Sequence, residues 1–282
     1  MKSDFNNLNK SIIKENLKGD LSEKFSFEIY KEVNSTNNKA KKFAKNNCFK
    51  NKSSKDKDII VFAADKQSAG RGRRGHSWLS NDPAGLFVSF LFKAQENLDK
   101  MPQITAAAAL AVKDNFEYFD LETRIKWPND ILVDQKKICG ILSELVFDKE
   151  KSEAYIIIGC GINLNNDLFN SSITEIATSY YLEKNRKINK NIFLAQLSKN
   201  INKYIKAYFS DDREKIIKCW KEILNLKGKK IDLKYKNKNY TVLIKKILDS
   251  GELFVEFENG EKKALQSINT SLNYSSIDKY ND

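Results

Sequence analysis

Gln67-Ser-Ala-Gly-Arg-Gly-Arg-Arg-Gly-His-Ser-Trp78 follows the apolar run Ile59 to Ala64 and threads Arg71, Arg73 and Arg74 between Gly70, Gly72 and Gly75. Glycine tolerates positive φ and lets backbone approach a ligand closely, while arginine offers planar, permanently charged donors for carboxylate or phosphate oxygens. The stretch therefore reads as an anion-holding loop. Its Gly70-x-Gly72-x-x-Gly75 spacing matches the dinucleotide-binding fingerprint, but that motif needs a helix opening at the last glycine and an acidic residue about 20 positions on. The chain instead continues into the turn-forming run Ser80-Asn-Asp-Pro-Ala-Gly85, so the match is read as accidental. As a phosphate loop, Gly70-x4-Gly75-His76-Ser77 fails because His76 stands where the lysine point charge is required. An isolated Arg-Arg pair is more often a solvated basic turn, and only the motifs around this one reverse that preference.

Upstream of the loop, Phe25 to Tyr30 alternates like a half-buried strand and leads into the cap-forming cluster Asn34-Ser35-Thr36-Asn37, which predicts a short helix over Lys39 to Lys45. Residues 1–24 predict a short helix and a lead-in, and the lysine-rich Asn46 to Asp58 an exposed loop. Downstream, Leu86 to Phe92 is nearly all apolar and predicts a central strand buried on both faces, followed by an alanine-rich helix over Ile104 to Tyr118 behind Pro102. Arg124-Ile-Lys-Trp-Pro-Asn-Asp130, the turn at Asp134 to Lys137 and the run Ile138 to Val146 predict a strand, a tight turn and a hairpin. Lys126, Asn129, Asp130 and Lys137 then cluster on short connections. Tyr155 to Ile158 predicts one more strand, running into Gly159-Cys-Gly161-Ile-Asn163.

Composition narrows the function classes. The chain of 282 residues is 41% hydrophobic, enough for a real core. No run of about 18 apolar residues exists, and Met1 to Asn9 lacks the apolar stretch of a signal peptide, so a cytoplasmic protein with no membrane partner is expected. Cys48, Cys139, Cys160 and Cys219 lie far apart and His76 is the one histidine, which predicts free thiols and no zinc site. The net charge of +12 invites a nucleic-acid reading, yet the lysines are scattered through the chain and form no basic stripe.

Taken in order, Ser35-Thr-Asn37, Gly70 to Gly75, Lys126-Trp-Pro-Asn-Asp130, Lys137-Ile-Cys-Gly-Ile-Leu142 and Gly159-Cys-Gly-Ile-Asn163 resemble the motif set of biotin protein ligases. The resemblance has motif support over about residues 25 to 180 and extends more loosely to the end of the chain. It implies an α+β fold: a mixed-sheet, class II synthetase-like catalytic domain (25–226) after a lead-in (1–24), then a small SH3-like β-barrel (227–282). Short alternating runs from Ile231 to Phe257, separated by turn residues, read independently as such a barrel. The implied activity is two-step: biotin and ATP, with Mg²⁺, give biotinyl-5'-AMP, and biotin then passes to a lysine of a biotin carboxyl carrier protein. Ser35, Thr36, Asn37 and Gln67 would hold the ureido head. Arg71, Arg73 and the strand around Gly140 would enclose the biotin carboxylate and the adenylate, Gly70, Gly72 and Leu142 would also contact biotin, and Gly72 and Trp78 would belong to a loop that orders over ligand. Arg74, Trp78, Lys126, Asn129, Asp130, Lys137 and Asn163 would serve the nucleotide, with Asp130 meeting the metal and Lys137 and Arg73 acting in catalysis. Thr174 to Ser179 resembles, more weakly, the segment that covers adenine. Only about two dozen residues precede the first predicted core strand, so specific DNA binding is not expected, and a homodimer is left open. The competing readings are a lipoate or octanoate ligase of the same fold and a basic nucleic-acid-binding protein.

Overall fold

The apolar runs pair into a seven-stranded mixed sheet in the computed structural model, which describes residues 5–45, 58–94, 101–148 and 153–281. Its strands are β1 (Phe25–Val33), β2 (Ile59–Gln67), β3 (Leu86–Lys93), β4 (Arg124–Lys126), β5 (Asp130–Val133), β6 (Lys136–Asp148) and β7 (Glu153–Ile162). They lie in the order β1-β2-β3-β7-β6-β5-β4; β1 and β2 are parallel, and each later pair is antiparallel. The predicted lysine-rich loop falls, at 46–57, outside the described residues, as does Cys48.

The nearly unbroken apolar run of β3 has the cause expected of it. Val88 and Phe90 face a large core shared with the helices Met101–Tyr118 (α4) and Lys190–Tyr208 (α6), while Leu91 joins Ile60, Phe62 and Ile157 on the other face. That second face is covered by Thr36–Lys45 (α3) through Ala40 and Ala44. Alternate residues of one strand thus fill two cores, which forces every position to be apolar. Ser89 is the exception, fully buried in the middle of the run. The alanines Ala106 to Ala109 are all buried, and their small side chains let α4 pack closely between the sheet and α6. Ahead of the sheet, the lead-in forms two short helices, Lys10–Leu17 (α1), capped by Asn9, and Gly19–Glu23 (α2). Tyr180–Lys184 (α5) precedes α6.

Lys190 opens α6 with a fully buried ammonium that donates to Asp65 Oδ1 at 2.8 Å and to the Pro83 carbonyl at 3.0 Å. A buried lysine survives only when paired in this way. It ties β2 and the turn before β3 to the helix, fixing both ends of the arginine-rich segment between them.

After Arg213–Leu224 (α7), the chain forms an antiparallel five-stranded sheet: β8 (Lys230–Tyr235), β9 (Lys238–Ile247), β10 (Leu253–Phe257), β11 (Lys262–Leu265) and β12 (Thr270–Asn273), in the order β11-β10-β9-β8-β12. Lys236 and Asn237, with φ of 46° and 65°, make the left-handed two-residue turn between β8 and β9. The sequence pattern indicates three of these strands. It misses β11 and β12, each four residues long and burying few side chains, and the closing helix Ser275–Asn281 (α8). The two sheets meet at the Trp127-Pro128 turn, where the Trp127 N–H donates to the Tyr274 hydroxyl at 2.8 Å and the indole N–H to the Gly251 carbonyl at 3.0 Å. Among the described residues, no helix is long and apolar enough to cross a membrane.

Candidate active site

Two neighbouring strands leave their centres bare. Gly140 of β6 lies opposite Gly161 of β7, and Leu142 lies opposite Gly159. Onto this flat patch drops the Trp78 indole: a Cβ at Gly161 would come within 2.5 Å of the ring, and one at Gly140 within 2.8 Å. Close approach, not backbone freedom, is what requires glycine at both positions. The Trp78 Nε1 is buried there without a hydrogen-bond partner.

The loop carrying Trp78 is a tight hairpin. Arg71 bridges to Ser77, the Trp78 N–H donates to the Gly70 carbonyl at 2.9 Å, and the Gly72 N–H donates to the His76 carbonyl at 2.6 Å. A single 3₁₀ turn, Arg73–Gly75, forms its tip, with no helix behind it, in keeping with the absence of a dinucleotide-binding fold. Of the three glycines only Gly75 uses positive φ (77°), next to Arg74 at 55°. Gly70 is small for another reason, since a side chain there would collide with the Trp78 carbonyl.

A cavity of about 290 Å³ opens over the glycine floor. At one end stand Ser35, Thr36, Asn37 and Gln67, all nearly buried. The cap cluster at the start of α3 presents the first three and the end of β2 the fourth: the Thr36 N–H donates to Gln67 Oε1 at 2.8 Å, which turns the Gln67 amide so that Nε2 is left over. Below them Ser89 Oγ lies 2.5 Å from Asn37 Oδ1 and 2.8 Å from Thr36 Oγ1.

The rest of the cavity is cationic. Arg73, Arg74, Lys126 and Lys137 line it with one carboxylate, Asp130, while Arg71 reaches back toward Asn37 through Glu144, which holds both. The Lys137 ammonium lies 2.7 Å from Asp130 Oδ1 and 5.2 Å from the Trp78 ring centroid. Its backbone is pinned on both sides, since the Lys137 N–H donates to the Ile176 carbonyl at 2.8 Å and its carbonyl accepts from the Thr178 N–H at 3.0 Å. Arg73 donates to Asn129 Oδ1 at 3.0 Å and to Ser267 Oγ at 2.6 Å, while Arg74 donates to the carbonyls of Ser267 and Thr270. The loop is thereby held from the second sheet. Burial, then the neighbouring Arg74, lowers the Arg73 pKa, with Asp130 partly offsetting them. Burial also lowers Lys126, where Asp130 opposes and Lys137 reinforces the shift. Both shifts trace first to burial, which strips water from the cationic forms, and an arriving anion would favour those forms again.

The structure brings fifteen of the sequence-derived residues to this cavity: Ser35, Thr36, Asn37, Gln67, Arg71, Gly72, Arg73, Arg74, Trp78, Lys126, Asn129, Asp130, Lys137, Gly140 and Leu142. Gly70 is not among its lining residues. Asn163 lines an adjoining cavity of about 320 Å³ that shares Ser77, Trp78 and Lys137 with the first, and its amide donates to the Thr178 carbonyl at 2.9 Å. That bond helps hold the Thr174 to Ser179 segment against β6. Sequence reasoning missed Ser89, Glu144, Ser267 and the Thr270 to Leu272 edge. One polar residue inside a run buried on both faces is a signal that Ser89 has a polar partner; nothing local marks the others. Cys160 also lines the cavity, but burial pushes its thiol up to about 12, which keeps it inert.

Residues 31–163 match the biotin/lipoate A/B protein ligase family. The bifunctional ligase/repressor BirA of Bacillus spizizenii is 32% identical over 239 residues, covering 83% of this chain and 71% of that one. A biotin–protein ligase of Homo sapiens is 29% identical over 215 residues, 72% of this chain and 29% of that one. Among solved structures, the biotin protein ligase from Aquifex aeolicus in complex with biotin and ATP is 26% identical, with a TM-score of 0.70 over 88% of this chain and 98% of that one.

Proposed function

This chain belongs to the biotin/lipoate A/B protein ligase family, and from that premise we infer that it is an ATP-dependent biotin protein ligase. Biotin carboxylate attacks the α-phosphorus of ATP, pyrophosphate leaves, and biotinyl-5'-AMP forms. A carrier lysine amine then attacks the acyl carbon, AMP leaves, and an amide is made as the amine gives up its proton. The observation that carries the reading is the lining of one cavity: the neutral hydrogen-bonding groups of Ser35, Thr36, Asn37 and Gln67, with Arg71 beside them through Glu144, joined by glycine-bearing strands to the cations Arg73, Arg74, Lys126 and Lys137 around Asp130. A neutral ureido ring, an apolar acyl chain and an anionic nucleotide would fit it in that order. Joining a carboxylate to a phosphate brings two anions together, and fixed cations offset that repulsion as the transition state develops.

In this reading Ser35, Thr36, Asn37 and Gln67 receive the ureido head. Gly72, Gly140 and Leu142 border the acyl chain, with Gly70 setting the hairpin that carries Trp78 across it. Arg71 and Arg73 face the carboxylate end, and Arg74, Trp78, Lys126, Asn129 and Lys137 the nucleotide, with Asn163 acting through the segment it holds. Asp130 is the carboxylate for Mg²⁺. One carboxylate suits an ion that arrives on substrate phosphates and keeps several waters, and among the described residues no cluster of three or more potential metal ligands exists for a resident metal. When bound, Mg²⁺ would neutralise phosphate charge, and Lys137 would have to share Asp130 with it. The acceptor is assigned as a carboxylase carrier domain and the setting as the cytoplasm, with 25–226 as the catalytic unit and 227–282 completing its site.

The test is pyrophosphate exchange into ATP with biotin, lipoate or octanoate as the acid. Exchange is expected only with biotin, and equal exchange with lipoate would transfer the assignment to the lipoate branch of the family. A second measurement concerns the loop. Arg73→Gly removes charge-assisted bonds to Asn129 and Ser267 and leaves a hinge, so release of biotinyl-adenylate should quicken by about 10- to 100-fold. Wild-type retention, followed by isotope-labelled adenylate on a gel-filtration column, would show that Arg73 does not close the site.

A further inference from the structure

We propose that Glu144 is a positioning residue: it fixes the proton order of the polar end of the cavity and ties that end to the arginine loop. The proposal rests on the biotin reading above. Glu144 sits in the middle of β6 with its side chain 16% exposed. Its Oε2 accepts from Asn37 Nδ2 at 2.8 Å, and its Oε1 accepts from Lys41 Nζ at 2.7 Å and Arg71 Nη2 at 3.3 Å.

A carboxylate only accepts, so the Asn37 amide turns its NH₂ to Glu144 at 2.8 Å, with the Leu142 carbonyl a longer second acceptor at 3.4 Å, and its oxygen to Ser89. An amide oxygen also only accepts, so the one hydroxyl proton of Ser89 goes to Asn37 Oδ1, 2.5 Å away. The Ser89 oxygen is then the acceptor nearest the Thr36 hydroxyl, at 2.8 Å against 3.2 Å for Gln67 Oε1. With its proton drawn back to Ser89, Thr36 presents oxygen lone pairs. Gln67, whose Oε1 is held by the Thr36 N–H, presents an N–H donor. An acceptor beside a donor is the complement of a cyclic urea, which carries N–H groups on either side of its carbonyl. Ser89 is fully buried and cannot correct the order with solvent, so the polarity at Glu144 propagates through three side chains to the ligand. Arg71, held by the same carboxylate and by Asn38 Oδ1 at 3.1 Å, begins the arginine hairpin.

The experiment uses the full chain and measures KM for biotin, KM for ATP and kcat in biotin-dependent pyrophosphate exchange, with the urea midpoint as a check on folding. Glu144→Gln keeps the shape but supplies a donor that competes for Asn37. KM for biotin should rise by about 10- to 100-fold, the effect of breaking a network built on a charged group, while KM for ATP and the urea midpoint stay near wild type. In the double variant Asn37→Asp with Glu144→Gln, the introduced amide can donate to the introduced carboxylate, which still takes the Ser89 proton, so most of the loss in biotin KM should be recovered. A wild-type biotin KM in Glu144→Gln, equal rises in both KM values, or a double variant no better than the single one would each overturn the proposal. Absence of biotin-dependent exchange in the wild-type chain would instead overturn the functional reading beneath it.

Discussion

Lys137→Met is expected to slow formation of biotinyl-adenylate by about 10²–10³, the usual consequence of removing one preorganised donor where transition-state charge develops. Adenylation concentrates negative charge on the α-phosphate and the departing pyrophosphate, the charge that Lys137 is proposed to meet. Its ammonium stands at the cationic end of the cavity beside Asp130, and its backbone is clamped between Ile176 and Thr178. The compact charge on a flexible stem can follow phosphate oxygens as they rearrange. Transfer asks less of it, because the carbonyl is already activated and only AMP leaves. Biotin transfer from adenylate supplied ready-made should therefore fall far less than adenylate synthesis. Lys136 is exposed and does not line the cavity, so Lys136→Met should leave both half-reactions intact. Single-turnover measurement of each half-reaction decides the matter: equal losses in both for Lys137→Met, or a matching defect in Lys136→Met, would remove Lys137 from this role.

The second large effect is on stability. Lys190→Met leaves the Asp65 carboxylate, only 14% exposed, without its fully buried partner. Removing one member of a buried pair costs about 3–5 kcal/mol, mostly through the charge left behind. The loss should appear as a lower urea midpoint. Combining it with Asp65→Leu removes both charges and should restore much of the stability, because a buried pair contributes little over apolar groups of similar size. A single variant as stable as wild type would mean that Asp65 reaches water or another donor. Both variants need measurement with biotin absent as well as present, since ligand binding raises apparent stability.

The readable part of the sequence was the part whose physics is local. Leu86 to Phe92 announces a strand buried on both faces through composition alone, and Ser80 to Gly85 excludes a helix after the arginine loop through turn chemistry. The cationic end was legible because Lys126, Asn129, Asp130 and Lys137 crowd onto connections of a few residues. The polar end was half legible: Ser35 to Asn37 announce a cap, but Ser89 and Glu144, which orient them, come from the interiors of other strands. Partnership at that range leaves no mark on neighbouring residues. The same limit hid Ser267 and Thr270, whose contacts with Arg74 span 193 and 196 positions. β11 and β12 escaped because strands with so few buried side chains carry little periodicity. The arginine loop itself was read for glycine flexibility, whereas Gly70 is there for space and only Gly75 for its backbone angle.

The clasp of Arg73 and Arg74 by Ser267 and Thr270 also sets when the site comes into being. The cavity draws on chain from Ser35 to Leu272, so on the ribosome the first sheet emerges long before the residues that hold its loop. Domains fold as the chain emerges, N-terminal parts first, but here the part that folds first has no fixed arginine pair. A nascent chain lacking β12 would hold a glycine floor and a head-group end with the loop above them untethered. Biotinyl-adenylate is a reactive acyl donor, and a half-made enzyme that released it would acylate whatever amines lay nearby. Because the last strands fasten the first loop, Arg73 and Arg74 find their partners at Ser267 and Thr270 only once that part of the chain has emerged and folded.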